Sequence, residues 1–192
     1  MHQTLYFASQ NLNKFNEIAA LLPEGFVLKN LDEFKLDHEL AETGTTLEEN
    51  AIQKATYIAE RFGVACFADD SGLEVAALQG APGIYSGRYA GEAKNHDANM
   101  NKLLHELQDK TDRSACFKTV IAYHDGQQVH CFTGQICGQI QLERKGNKGF
   151  GYDPLFIPDG HTLTFAEMSP EQKNQWSHRA KALKAFLGFL GK

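Results

Sequence analysis

Four short polar clusters in this chain have the residue types for chemistry on phosphates. Ser9-Gln10-Asn11-Leu12-Asn13-Lys14 follows a short apolar run and opens a helical pattern. Free N–H groups at a helix start attract anions, and Lys14 would add a point charge one turn inside. An ordinary N-cap at Ser9 or Asn11 accounts for the same residues. Asp69-Asp70-Ser71-Gly72 comes directly after a second apolar run. Two adjacent carboxylates there repel, and a hard divalent cation such as Mg²⁺ would relieve the repulsion. The plainer alternative is that one of them caps the following turn.

Lys148-Gly149-Phe150-Gly151-Tyr152-Asp153-Pro154 sets an aromatic ring between glycines. Such a loop lets a backbone approach a flat ligand, and ring stacking on a base is worth about 1–3 kcal/mol. A tight turn around a packed ring is the competing reading. Ser177-His178-Arg179, with Lys173 upstream, is the fourth cluster. His178 lies about 200° around a helix from Trp176, which reads as a solvated basic face. Lys173 and Arg179 are about 120° apart on an unbroken helix. Both would touch one ligand only if the helix broke between them or the ligand were extended.

The charge balance fits a nucleotide better than a nucleic acid. The 192 residues carry a net charge of −5, which argues against non-specific binding to nucleic acid or an anionic membrane. Residues 32–74 hold eleven acidic and three basic side chains, whereas 170–192 hold one acidic and five basic. An acidic metal-binding side and a basic phosphate-binding side suit a Mg-nucleotide, although a solvated surface can show the same asymmetry. There is no GxxxxGK[ST], HExxH, GxSxG or helix-opening GxGxxG. The eight histidines show no metal-ligand spacing. Cys66, Cys116, Cys131 and Cys137 form no CxxC pair, so reduced, buried thiols are expected. No signal peptide or membrane span is apparent, and a cytoplasmic protein is expected.

The elements that must position these clusters read as mixed strands and helices. Thr4–Ala8 is strand-like, and Phe15, Ile18, Ala19 and Leu22 mark the first helix. Residues 30–44 are acidic and irregular. Thr46-Leu47-Glu48-Glu49 has the form of a capping box, with apolar residues at helical spacing to Phe62 and a stop at Gly63. Val64–Ala68 reads as a buried strand ending in a polar turn at Asp69–Gly72. A helix is expected over 95–107. A hairpin is expected over 114–123 and 128–135 around Asp125-Gly126, with further short strands at 139–143 and 155–157. After Ser169-Pro170, one final helix would carry Trp176, Ala180, Leu183, Leu187 and Leu190 on a single stripe. This pattern implies an α/β fold around one mixed sheet, in a single domain over 1–192.

The segments SQNLNK, ETGTTLEENAIQKA, ADDSGLEV, APGIYSGRYAG, GFGYDPLF and SHRAKAL resemble, in order and spacing, the inosine triphosphate pyrophosphatase family. The resemblance runs from about Leu5 to Leu190. It implies a mixed α/β fold with two lobes and an active-site cleft between them, and a homodimer. It implies Mg²⁺-dependent cleavage of ITP, dITP and XTP to the monophosphate and pyrophosphate, which clears deaminated purines from the nucleotide pool. By the same resemblance, Ser9, Gln10, Asn11, Leu12, Asn13 and Lys14 form the triphosphate-binding turn. This chain has Ser9-Gln10-Asn11 where the family usually has Thr-Gly-Asn. Glu42 and Asp70 match the metal-associated acids, and Asp70 also matches the general base. Ser71 and Lys54 match substrate contacts. Phe150, Gly151, Tyr152 and Asp153 match the base-recognition loop, with Lys173, His178 and Arg179 holding the base and sugar-phosphate end. Ser86-Gly87-Arg88-Tyr89 stands where the family has Ser-Ala-Arg-Tyr. A nucleotide sensor without hydrolysis would use the same clusters. The related septum-formation inhibitor family is disfavoured by the FGYD and SHR motifs.

Overall fold

The computed structural model describes residues 3–36 and 38–191. Met1, His2, Asp37 and Lys192, which the leader, acidic-stretch and charge readings include, lie outside the described residues. The elements run β1 (Gln3–Phe7), α1 (Leu12–Leu21), β2 (Phe26–Lys29), α2 (Leu47–Phe62), β3 (Cys66–Val75) and β4 (Pro82–Gly83). They continue α3 (His96–Glu106), β5 (Ser114–His124), β6 (Val129–Ile140), β7 (Phe156–Pro158), α4 (Pro170–Trp176) and α5 (His178–Phe189). One seven-stranded sheet has the order β2-β1-β3-β5-β6-β7, with β4 on β3. β1 pairs parallel with β2 and β3, while β3–β4 and β6–β7 are antiparallel. The fold is therefore mixed α/β. No described helix is long and apolar enough to cross a membrane.

Two compact units emerge. The first comprises 1–70, 119–134 and 179–192. Its core joins Leu5 and Phe7 of β1, Ile18 of α1, Phe67 of β3, Ile121 of β5 and Leu183 and Phe186 of α5. The parallel register sets Phe7 beside Phe67, and their rings stack at 4.8 Å. Burying each such ring stabilises the fold by about 1.5–3 kcal/mol. The second unit comprises 71–118 and 135–178. Its core gathers Leu73, Leu103, Leu107, Phe117, Ile140, Leu155, Phe156 and Phe165.

Local signals set several element ends. Thr46 and Glu49 form the expected capping box of α2, and Gly63 ends that helix with φ 66°, the left-handed region glycine adopts without cost. Ser169 and Gln172 cap α4 in the same way, with Pro170 at its first position.

The structure departs from the sequence expectations in four places. β3 does not end at Ala68 but runs on through Asp69–Gly72 to Val75. Polar residues look like a turn in isolation, whereas here cations brought from distant segments compensate them. The strands expected at 128–135 and 139–143 are one strand, β6. Gly138 lets it pass close to β7, since a Cβ there would lie 2.1 Å from the Ile157 carbonyl oxygen. The single C-terminal helix is two, broken at Ser177, whose ψ of 153° is extended. Trp176 consequently leaves the apolar stripe and is 47% exposed. Finally, Cys116 and Cys137 are disulfide-bonded, Cys66 is a buried free thiol and Cys131 is an exposed one. The hairpin turn pairs Asp125 with Gln128. Extending that register sets Cys116 opposite Cys137, a pairing invisible while β6 reads as two strands.

Candidate active site

In the first unit, α1 starts where Asn11 caps it, its side chain accepting from the Asn13 and Lys14 amides at 3.0 and 3.3 Å. That cap aims the next turn, and Lys14 Nζ reaches Asp69 at 3.0 Å. One turn further along the helix, Glu17 pairs with the Arg179 guanidinium. Arg179 Nε also donates to Asp69 at 3.2 Å, so Glu17, Arg179, Asp69 and Lys14 form one chain of charges. Arg179 is only 1% exposed, and Asp69 is fully buried.

Successive residues of a strand point to opposite faces, so Asp69 and Asp70 need not share partners. Asp70 accepts from Lys54 Nζ at 3.4 Å and from Asn50 Nδ2 at 3.2 Å. Asn50 and Lys54 are four apart on α2, hence on one face of it. Lys54 Nζ also binds Glu42 at 2.7 Å.

The two aspartates titrate in opposite directions. Burial works to raise the Asp69 carboxyl, but Lys14, Arg179 and Lys54 outweigh it and hold the group well below the usual carboxylate range. Burial raises Asp70, and Glu42 and Asp69 add to the effect beyond what Lys54 and Lys14 offset. Lys54 is itself pushed up despite burial, because Asp70 and Glu42 both stabilise its charge. One ammonium shared by two carboxylates leaves that corner with excess negative charge. Among the described residues, no three His, Cys, Asp or Glu side chains come together as a metal-holding group. A pair of carboxylates does suit Mg²⁺, which takes one or two protein carboxylates and completes its shell with phosphate oxygens and water. The donor set of Glu42 and Asp70 therefore fits that ion.

The second unit holds a different arrangement. Asp153 is buried and binds Lys173 Nζ at 2.6 Å. The same carboxylate oxygen accepts from the Phe150 amide at 2.9 Å. Gly149, at φ 70°, makes that approach possible, since a Cβ there would lie 2.0 Å from Asp153 Oδ2. Lys173 Nζ sits 5.3 Å from the Phe150 ring centroid and 5.4 Å from that of Phe165, within cation–π reach. Tyr152 is buried and donates its hydroxyl to the Ser86 carbonyl at 2.9 Å. Desolvation pushes that phenol up, out of the range where it would ionise. His178 stacks on Phe117 with centroids 4.8 Å apart and ring planes 10° from parallel.

The family model for the Ham1 family matches residues 5–189. The chain belongs to the Ham1 family. It is 49% identical over 186 residues to a dITP/XTP pyrophosphatase of Flavobacterium psychrophilum, covering 97% of this chain and 98% of that one. It is 50% identical over 189 residues to a dITP/XTP pyrophosphatase of Porphyromonas gingivalis, covering 98% and 97%. Among solved structures, the Staphylococcus aureus Ham1 protein superposes with a TM-score of 0.89 at 42% identity, covering 98% of each chain. A HAM1 protein from Coxiella burnetii gives 0.90 at 39% identity, covering 100% of this chain and 99% of that one.

Against this Ham1 architecture, the residues singled out in the sequence fall into two groups. Lys14, Glu42, Lys54, Asp70 and Arg179 gather in the first unit. Phe150, Asp153, Lys173 and His178 belong to the second, where Gly151 separates Phe150 from the buried Tyr152. Ser71 is half-buried on β3 immediately after Asp70. Within the first turn, the side chains do different jobs. Ser9 Oγ accepts from the Asn11 amide, Asn13 is held through its backbone and Leu12 is 68% exposed. The expected solvated face around His178 is absent: Lys173, His178 and Arg179 are all at least 95% buried. Sequence reasoning missed Glu17 and Asn50. Their signal was spacing, since Glu17 is three residues from Lys14 and Asn50 is four from Lys54.

Proposed function

We propose that the whole chain works as one pyrophosphatase domain, hydrolysing non-standard purine nucleoside triphosphates (dITP, XTP and ITP) to the monophosphate and pyrophosphate. The observation that carries this reading is the Glu42–Lys54–Asp70 cluster, with its surplus negative charge beside Lys14, in a chain about 50% identical to named dITP/XTP pyrophosphatases. Water would attack the α-phosphorus, and the bond to the bridging oxygen would break as pyrophosphate leaves. Glu42 and Asp70 would hold Mg²⁺, which when bound supplies charge neutralisation on the phosphate oxygens. Lys14 and Lys54 stabilise the same developing charge from fixed positions. Asp70 either takes this metal role beside Glu42 or orients the attacking water and accepts its proton, because one carboxylate oxygen can hardly do both at once.

The Phe150 loop supports base recognition. The Phe150 ring offers a stacking face, and Lys173 and His178 supply donors for a 6-oxo group, which adenine lacks; guanine shares that group, so its 2-amino group must be rejected separately. Ser9 to Lys14 and Ser71 take the phosphate end, with Arg179 holding Asp69 and the helix that carries Lys14. A homodimer and a cytoplasmic location belong to the same reading.

The test is pyrophosphate release from dITP, XTP, ITP, GTP, ATP and UTP, each with and without Mg²⁺. We expect Mg²⁺-dependent release from the first three at least about 100-fold above the others, the scale that unpaired polar groups can enforce. No release from any of them, or equal turnover of GTP and ITP, overturns the reading.

A further inference from the structure

Glu42 sits on a stretch, 38–46, that belongs to no helix or strand. Side chains hold it in place instead. From α2, Tyr57 Oη meets His38 Nε2 at 3.1 Å, Lys54 binds Glu42, Gln53 exchanges hydrogen bonds with Thr43 at 3.0 Å, and Asn50 Oδ1 accepts from the Gly44 amide at 2.8 Å. The stretch runs 38 to 44 while its helix partners run 57 to 50, so the helix grips it along its length.

Gln10 holds it as well. Its Nε2 donates to the His38 carbonyl and its Oε1 accepts from the Leu40 amide, both at 3.2 Å. A carbonyl and an N–H two residues apart on one edge are the groups a neighbouring β-strand would pair with. A primary amide, with one donor side and one acceptor side, satisfies both at once. Gln10 also lies between Ser9 and Asn11, in the turn that starts α1 and aims Lys14.

We infer that Gln10 is a positioning residue whose side-chain amide ties the Lys14 turn to the Glu42 segment, and so sets the affinity of the Glu42–Asp70 pair for a divalent cation. This rests on the proposed role of Glu42 as a metal-holding carboxylate. A glycine at this position would contribute only backbone, so the tie depends on the Gln10 side chain. Gln10 is exposed, and its replacement leaves the core intact.

The experiment uses the full chain with Gln10→Ala and Gln10→Glu. Amide hydrogen exchange at Leu40, in metal-free protein, reads the tie directly. Gln10→Ala should speed exchange there about 5- to 10-fold; Gln10→Glu keeps the acceptor for the Leu40 amide but turns an oxygen toward the His38 carbonyl, so its exchange should fall between the two. Mn²⁺ alone, followed by electron paramagnetic resonance, should bind Gln10→Ala several-fold more weakly. The Mg²⁺ concentration for half-maximal pyrophosphate release should rise by a similar factor. A purely structural role would lower rate without moving the metal midpoint. Unchanged Leu40 exchange in Gln10→Ala overturns the tie. Faster exchange with unchanged Mn²⁺ binding and Mg²⁺ midpoint overturns its effect on Glu42. A wild-type protein that neither binds Mn²⁺ nor releases pyrophosphate would show that the functional reading itself has failed, while Leu40 exchange still judges the tie.

Discussion

The polar cluster of the first unit and that of the second are built on opposite electrostatic plans. In the first, Glu17, Glu42, Asp69 and Asp70 face Lys14, Lys54 and Arg179, so the network carries one more acid than base. In the second, Asp153 and Lys173 form a matched pair under aromatic rings. An unbalanced network changes its energy when a charged ligand arrives, whereas a balanced pair holds a surface in shape. The difference teaches which region should respond to phosphate and metal, and which should read a flat, uncharged base.

The sharpest way to break that comparison is Asp70→Asn. We expect pyrophosphate release to fall about 1,000-fold or more, roughly 4 kcal/mol of transition-state stabilisation. Stability should not fall with it, because burial already disfavours the charged form of Asp70 in the folded state. Kinetics and a urea melt on the same sample check both halves. Activity within a few-fold of wild type would remove Asp70 from the chemistry.

Its neighbour should behave in reverse. Asp69→Asn breaks a buried network and leaves Lys14 and Arg179 poorly compensated, at a cost of about 3–5 kcal/mol. The pH dependence follows from the sign of the shift. Burial raises the Asp69 carboxyl but its cations lower it further, so the folded state binds this proton more weakly than the unfolded state does. Asp69 therefore contributes stability above its ordinary value near 3.8, and that contribution is lost as pH falls below it. Urea unfolding from pH 7 down to pH 2.5 should show wild type losing more stability than Asp69→Asn across that window. Parallel curves would sever the link between this aspartate and acid stability.

The second unit should respond differently again. Lys173→Met strands the buried Asp153 carboxylate and should cost about 3 kcal/mol or more. Asp153→Asn combined with Lys173→Met should regain most of that stability without regaining activity. Thermal melts and dITP turnover on the two variants and the wild type distinguish a surface-shaping pair from a catalytic one. Recovery of turnover in the double variant would reduce Lys173 to a scaffold residue.

What was legible in the sequence was what local chemistry decides. The capping box at Thr46–Glu49, the stop at Gly63 and the hairpin around Asp125-Gly126 all depend on neighbours a few residues away. β3 was cut short because Asp69 finds its compensation through Lys14, 55 residues distant, and Arg179, 110 residues distant, and Asp70 through Lys54, 16 residues distant. The break between Lys173 and Arg179 entered the sequence reading only as one of two alternatives, because Ser177 is neither proline nor glycine. It is this break that resolves the 120° mismatch between Lys173 and Arg179, sending one to Asp153 and the other to Asp69. The burial of His178 was missed because its partner ring comes from Phe117 on the distant strand β5.

The smallest expected effect is the most specific to the contrast between charge and shape. Phe150 is half-buried, and its ring lies under the Lys173 ammonium and near His96, 6.3 Å away between centroids. If that ring is a stacking face, Phe150→Ala should raise the KM for dITP about 10- to 100-fold, the equivalent of about 1–3 kcal/mol. Stacking is blind to the exocyclic groups of a purine, so XTP should suffer by a similar factor. The preference for dITP over dATP should survive, because Lys173 and His178, the donors proposed for the 6-oxo group, stay in place. Phe150→Trp should restore most of the affinity, since a larger ring stacks at least as well. Steady-state kinetics with dITP, XTP and dATP on both variants tests this. Loss of the dITP preference in Phe150→Ala would mean that this loop reads identity through the ring's placement of Asp153 and Lys173, and the division between a charge-responsive unit and a shape-reading unit would then fall.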